Sequence, residues 1–192
     1  MQTNPTDPSR AQQQVLATLR AYIPADAAQQ AARAQFIAFA QQHAHCCERS
    51  LQHGHFTASA WLVSADGQRV LLTHHRKLGL WLQLGGHADG EGDLARAALR
   101  EAEEESGLSA LCLEGGVYDL DRHRIPARGD EPEHWHYDVR YVVRARGDER
   151  YRVSAESLDL AWRPVAELSA DENADASLRR MACVWLEQSR PL

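Results

Sequence analysis

The sequence predicts an α/β fold of the α+β kind: a mixed β-sheet flanked by helices and preceded by a helical extension. Three observations predict it. Residues 8–48 are rich in Ala and Gln and read as helices without strand pattern. From His55 onward, short strand-like runs alternate with turn signals. Two helical segments, one after Gly85-Gly86 and one at residues 176–188, interrupt and close the strand series. The division expected is a helical extension at 1–50 and a main domain at 51–192. No internal repeat is evident.

The elements follow in order. Pro8 suits a first helical turn, and Pro24 separates two N-terminal helices. Phe36, Ile37 and Phe39 give the second helix something to bury. HFTASAWLVSADGQRVLLTHH holds two strands around Asp66-Gly67, a strong hairpin signal. LWLQL, residues 80–84, is a third strand ended by Gly85-Gly86. A helix runs from about Asp93 to Gly107, a good residue to follow a helix end. VYDLDRHRI and HWHYDVRYVVRA are strands on either side of a polar loop through Pro126 and Pro132. LAWRPV is a last short strand, and ASLRRMACVWLEQ a closing helix.

The 192 residues, 44% hydrophobic and 25% charged, have the composition of a soluble globular chain. A net charge of −6 gives no footprint for nucleic acid. An acidic chain that handles anions needs local cations or metal. MQTNPTDPSR has no basic stretch leading into an apolar run, so no secretory signal is read there. No apolar run approaches the ~20 residues of a membrane span. Cys46, Cys47, Cys112 and Cys183 form neither a disulfide framework nor a usual zinc spacing, which fits a reducing cytoplasm.

The unusual segment is GGHADGEGDLARAALREAEEESGL, residues 85–108. Glu101, Glu103, Glu104 and Glu105 crowd the end of its helix, where the macrodipole disfavours each carboxylate by about 0.3–1 kcal/mol. Glu101, Glu104 and Glu105 share a face, and Glu103 does not. The same wheel places Glu101 and Glu105 beside Leu94 and Ala98, at the border of the apolar stripe. Carboxylates converging there repel one another unless a cation sits among them. Mg²⁺ or Mn²⁺ is the natural choice, because both are hard ions that prefer oxygen. The plainer reading is a solvated acidic run balanced by Arg96 and Arg100. The helix-end position, the shared face and the Gly-Gly turn favour the cation.

This segment resembles the box of the Nudix hydrolases, G-x5-E-x7-R-E-U-x-E-E-x-G-U, in which U is a bulky aliphatic residue. Gly86, Arg100, Glu101, Glu104, Glu105, Gly107 and Leu108 fall on the template, over residues 86–108. The order of strands and helices also fits, which implies an α/β/α sandwich. Two positions depart: Gly92 stands where the first box Glu belongs, and Ala102 where U belongs. In the family that Glu helps hold the box arginine; Asp93 or Glu91 are the substitutes at hand.

The resemblance implies a metal-dependent hydrolase in which water attacks a phosphorus of a diphosphate joined to some group X. The substrate implied is a small diphosphate, nucleotide-derived. Glu101 and Glu105 are the implied metal ligands, with Glu104 at or next to the ion and the Gly85 carbonyl as a further ligand. Arg100 would orient carboxylates. Glu156, six residues before Trp162, would be a fourth ligand or the general base, with Asp159 as its competitor. Two other classes stay open: an isomerase of the isopentenyl-diphosphate type, faintly echoed by GGHAD but lacking a cysteine nearby, and a non-catalytic nucleotide sensor, hinted at by Gly92.

Ten histidines are many for this length. His134, His136 and Asp138 lie on one strand face and Trp135 and Tyr137 on the other. A polar sheet face lining a cleft or facing water is the ordinary reading, zinc ligation the sharper one, and a role in holding substrate lies between them. His74, His75 and His87 flank the Gly-Gly turn and are within reach of phosphates or simply on the surface. Cys46-Cys47 is expected to end the second helix with buried or idle thiols. Trp81 reads as core, with base stacking as the alternative. The N-terminal helices cover the sheet, shape a pocket or form a homodimer surface.

Overall fold

The computed structural model describes residues 10–76, 78–129, 131–155 and 157–188. Helices α1 (Arg10–Ala21) and α2 (Ala27–Gln42) precede strands β1 (Gly54–Val63), β2 (Arg69–His75) and β3 (Trp81–His87). Helix α3 (Leu94–Ser106), strands β4 (Leu111–Ile125), β5 (His134–Ala145) and β6 (Ser157–Pro164), and helices α4 (Val165–Ala170) and α5 (Ala176–Gln188) complete the order. The strands form one mixed six-stranded sheet, β4-β5-β1-β3-β2-β6, flanked by helices as expected.

The chain divides into two compact units. One holds the described residues through Ala58, with Gly86–Ala98 and Gly116–Arg140. In it, Phe36 and Phe39 of α2 pack on Phe56 of β1 and Tyr137 of β5, with the Phe39 and Tyr137 rings stacked at 3.9 Å. Helix α2 therefore covers a sheet face. Asp26 caps α2 by accepting from the Gln29 amide at 2.8 Å. The opposite strand face is polar. There the buried Arg140 pairs with Asp138 (2.7 Å), Asp119 (3.1 Å) and Asp121 (3.4 Å), and Thr57 donates to Asp138 at 2.9 Å. Burial opposes the charge on Arg140, but Asp138, Asp121 and Asp119 more than offset it and raise its pKa above the ordinary value.

The second unit holds Ser59–Gly85, Leu99–Gly115 and the described residues from Tyr141 onward. Its core joins Ala60 and Leu62 of β1, Leu71, Leu84, Val143 and Leu160 to Ala102 and Leu108. Residues 64–68 turn around Gly67 at φ +71, and the amide of Gly67 donates to the Ser64 carbonyl at 2.9 Å. The Asp66-Gly67 signal thus marked a real turn. Strand β2 then pairs antiparallel with β6 from Arg69↔Pro164 to His74↔Asp159. Trp185 of α5 donates to the Gly67 carbonyl at 2.8 Å and fixes the closing helix.

Several boundaries differ from expectation. Strand β3 does not stop at Gly85-Gly86 but continues through both to His87. Strand β4 begins at Leu111 and crosses Gly115-Gly116, with Gly115 at φ +71, a value that glycine tolerates inside a strand. Val165 is not the end of a strand but the start of α4, and Pro164, the last residue of β6, is the residue that precedes the helix. Cys46-Cys47 follows the end of α2 rather than forming it, and both thiols are buried as expected. Trp81 is half-buried rather than core; its ring stacks on His74, its partner across β2 and β3, at 5.1 Å.

Candidate active site

Helix α3 starts where its sequence allows. Asp93 precedes it and accepts from the Arg96 amide at 3.1 Å, an N-cap bond. It ends as glycine dictates. Gly107 takes φ +66, and its amide donates to the Glu103 carbonyl at 2.9 Å. The Ser106 hydroxyl donates to the Ala102 carbonyl and accepts from the Leu108 amide at 3.1 Å, which closes the last turn. Ala102, at the position of the expected bulky aliphatic, is fully buried in the core beside Leu84 and Leu108.

These constraints set the glutamates. Glu105 is only 8% exposed, and the Glu101 side chain 14%. The expectation that both lie at the border of the apolar stripe agrees with these values. Glu104 differs: its side chain is 61% exposed, and Glu103 is exposed as well. Arg100 ties the set together, with Nη1 2.7 Å from Glu101 and 3.5 Å from Glu104. Oxygen donors from Glu101 and Glu105, one helical turn apart with Glu104 beside them, are the donor set a hard dication takes. The chemistry of these oxygen donors suits Mg²⁺ or Mn²⁺.

Gly85 is required by close approach. A Cβ there would lie 2.3 Å from the Ser59 hydroxyl and 2.7 Å from its Cα, so no side chain fits. Glu156, named from the sequence, lies outside the described residues. Its flanking carbonyls, Ala155 and Ser157, accept from Arg76 at 3.0 and 2.8 Å. The competitor Asp159 is exposed on β6 and accepts from the Leu160 amide at 2.8 Å.

The departure at Gly92 has a steric cause. A Cβ at Gly92 would lie 2.4 Å from the Cα of Ala11 and 2.7 Å from its carbonyl oxygen. The backbone of α1 occupies the space that a box glutamate would need. Neither suggested substitute is free to replace that glutamate. Glu91 pairs with Arg96 and accepts from the Asp93 amide at 3.0 Å, while Asp93 caps the helix. Arg100 is instead held by Glu101 and Glu104. The loop before the helix is anchored by a pair that sequence reasoning missed: Arg49 donates to both oxygens of Asp89 at 2.7 and 2.6 Å. The Gly90 amide also donates to the Cys47 carbonyl at 2.9 Å.

The model of the NUDIX domain matches residues 54–183, and the chain belongs to that family. No curated protein matches it in sequence. Among solved structures, it is similar to a MutT protein from Methanosarcina mazei Go1, at 15% identity and a TM-score of 0.58 over 73% of this chain and 99% of that one. It is similar to the E. coli dihydroneopterin triphosphate pyrophosphohydrolase, at 15% identity and 0.55 over 70% and 96%. It is also similar to a C. elegans Ap4A hydrolase, at 18% identity and 0.53 over 69% and 98%. These likenesses establish the fold.

Proposed function

We propose that this chain is a metal-dependent hydrolase that cleaves a diphosphate linkage between a nucleoside and another group X. One observation carries the reading. Two inward glutamates, Glu101 and Glu105, share a face of α3, and Arg100 holds Glu101 and Glu104 at its end. That is a poor arrangement for helix stability and a good one for a dication. Family membership supports hydrolysis, and the Ap4A and dihydroneopterin triphosphate enzymes among its structural neighbours support a nucleotide-like substrate class by analogy. The Gly92 departure, the one hint of a sensor, has a packing cause.

Glu101 and Glu105 would hold the cation, with Glu104 beside them and the Gly85 carbonyl as a further ligand. When bound, Mg²⁺ or Mn²⁺ offsets charge on the diphosphate oxygens and acidifies water. Arg100 fixes the carboxylates before substrate arrives, so little reorganisation is left to the reaction. Glu156 would take the proton as water attacks phosphorus and the bridging P–O bond breaks. The test is a panel of nucleotide sugars, ADP-ribose, dinucleoside polyphosphates and nucleoside triphosphates, assayed with Mg²⁺ or Mn²⁺. Two phosphorylated products from at least one compound, abolished by EDTA and restored by metal, are expected. Full turnover in metal-free buffer would overturn the mechanism, and a rearranged, uncleaved diphosphate would favour an isomerase.

A further inference from the structure

We propose that His55, His87 and His136 form a binding site for a transition-metal dication of the Zn²⁺ class, separate in its ligands from the glutamates of α3. One nitrogen from each ring lies within 4.8 Å of those of the other two. They come from β1, β3 and β5, and β1 lies between the other two in the sheet, so strand order alone brings them together. All three belong to the first compact unit.

His55 points most directly to a missing ligand. It is 1% exposed, and apart from a backbone contact with Leu51 that favours its charged form, neither buried ring nitrogen makes a hydrogen bond of good geometry. An unsatisfied buried polar group costs stability and calls for an explanation. A metal ion among the three rings would satisfy one of these nitrogens. His134 adds a fourth ring. Its Nδ1 donates to the Pro132 carbonyl at 2.8 Å, and its Nε2 lies 3.2 Å from His136 Nε2. Two imidazoles on one tetrahedral Zn²⁺, at ~2.0–2.1 Å each, stand about 3.3–3.4 Å apart.

The electrostatics agree. Burial, with the neighbouring His87 and His134, lowers the pKa of His55 to about 4. Burial, with His55 and His123, lowers that of His136 to about 2, and burial lowers that of His87. These shifts favour the neutral form of His55, His87 and His136, the form that ligates metal. At His87 the Arg49 guanidinium opposes positive charge, and Asp89 and Glu131 partly offset it. A set of imidazoles selects Zn²⁺, Co²⁺, Ni²⁺ or Cu²⁺ over the oxygen-seeking Mg²⁺ and Mn²⁺.

The test uses the full chain, stripped with EDTA and held in saturating Mg²⁺ to occupy the carboxylates. Co²⁺ should then bind once per chain with intense visible absorption from a low-coordinate site, and Zn²⁺ should displace it. Zn²⁺ should also raise the Tm of the unsubstituted protein in that Mg²⁺ background. His87→Gln and His136→Gln should weaken Zn²⁺ binding by more than the roughly 10–100-fold typical of an outer-sphere partner. Glu101→Gln with Glu105→Gln should leave it unchanged. The absence of both the absorption and the Tm rise in the unsubstituted protein would mean a neutral histidine network and overturn the proposal. Loss of binding in the glutamate variant instead would place the ion at α3 and overturn it equally.

Discussion

At the scale of single residues, burial separates four chemically identical side chains. Glu105 is buried and Glu101 nearly so, while Glu103 and Glu104 are exposed. A buried carboxylate interacts more strongly with a dication than a solvated one, because the local dielectric is lower. Glu105→Gln should therefore lower kcat/KM by ~10²–10³-fold, in the range for loss of one transition-state charge partner, while Glu103→Gln changes little. Equal losses would mean that the helix face is assigned wrongly. Gly92 gives the converse case. Restoring the family's glutamate by Gly92→Glu should not improve activity. It forces a side chain into the backbone of Ala11, an overpacking that costs about 1–3 kcal/mol, readable in urea unfolding. The glutamate face was legible from the 3.6-residue period alone. The reason for Gly92 was not, because the clash comes from a helix some eighty residues away in sequence.

At the scale of elements, β4 and β5 show which features local pattern can and cannot reveal. HWHYDVRYVVRA was legible as β5 to the residue, because its polar and apolar faces alternate without a breaker. The start of β4 was not, since Gly115-Gly116 reads as a turn. Part of what steadies that start is a side-chain pair: Arg144 donates to both oxygens of Glu114 at 2.6 and 2.8 Å, and Arg146 joins at 2.7 Å. These bonds, the Arg144 one foremost, hold the Glu114 carboxyl below its ordinary pKa of 4.5. A depressed carboxylate pKa stabilises the fold above the unfolded value and loses that contribution as pH falls through the folded one. Glu114→Gln should therefore cost about 1 kcal/mol at neutral pH, the upper range for a partly exposed pair. The difference from the unsubstituted protein should shrink steadily below pH 4.5. A gap that persists at low pH would mean that Glu114 acts through packing rather than charge. The histidine cluster was hidden for a related reason. His55, His87 and His136 are scattered in sequence, and only the placement of β1 between β3 and β5 unites them.

At the scale of the whole chain, the glutamate cluster couples metal binding to folding. The net charge is −6, and the cluster concentrates part of it at the negative end of a helix. The folded chain presents Glu101 and Glu105 together on α3, and the unfolded chain does not. Ligand that binds only the folded state stabilises it, by about 2.7 kcal/mol at ~100 Kd. Saturating Mg²⁺ or Mn²⁺ should therefore raise the Tm of the unsubstituted protein. The gain should largely vanish in a Glu101→Gln, Glu105→Gln double variant. In EDTA two effects oppose each other in that variant. Losing Glu101 removes its ion pair with the half-exposed Arg100, which is worth no more than about 1 kcal/mol. Losing both charges relieves their mutual repulsion and their conflict with the helix dipole, by a few tenths to about 1 kcal/mol each. Near-equal stability of variant and parent in EDTA is the expected balance. A variant destabilised by several kcal/mol without metal would show that Arg100 and its neighbours already neutralise the cluster. The glutamates would then be structural, and the case for a dication at α3 would fail with them.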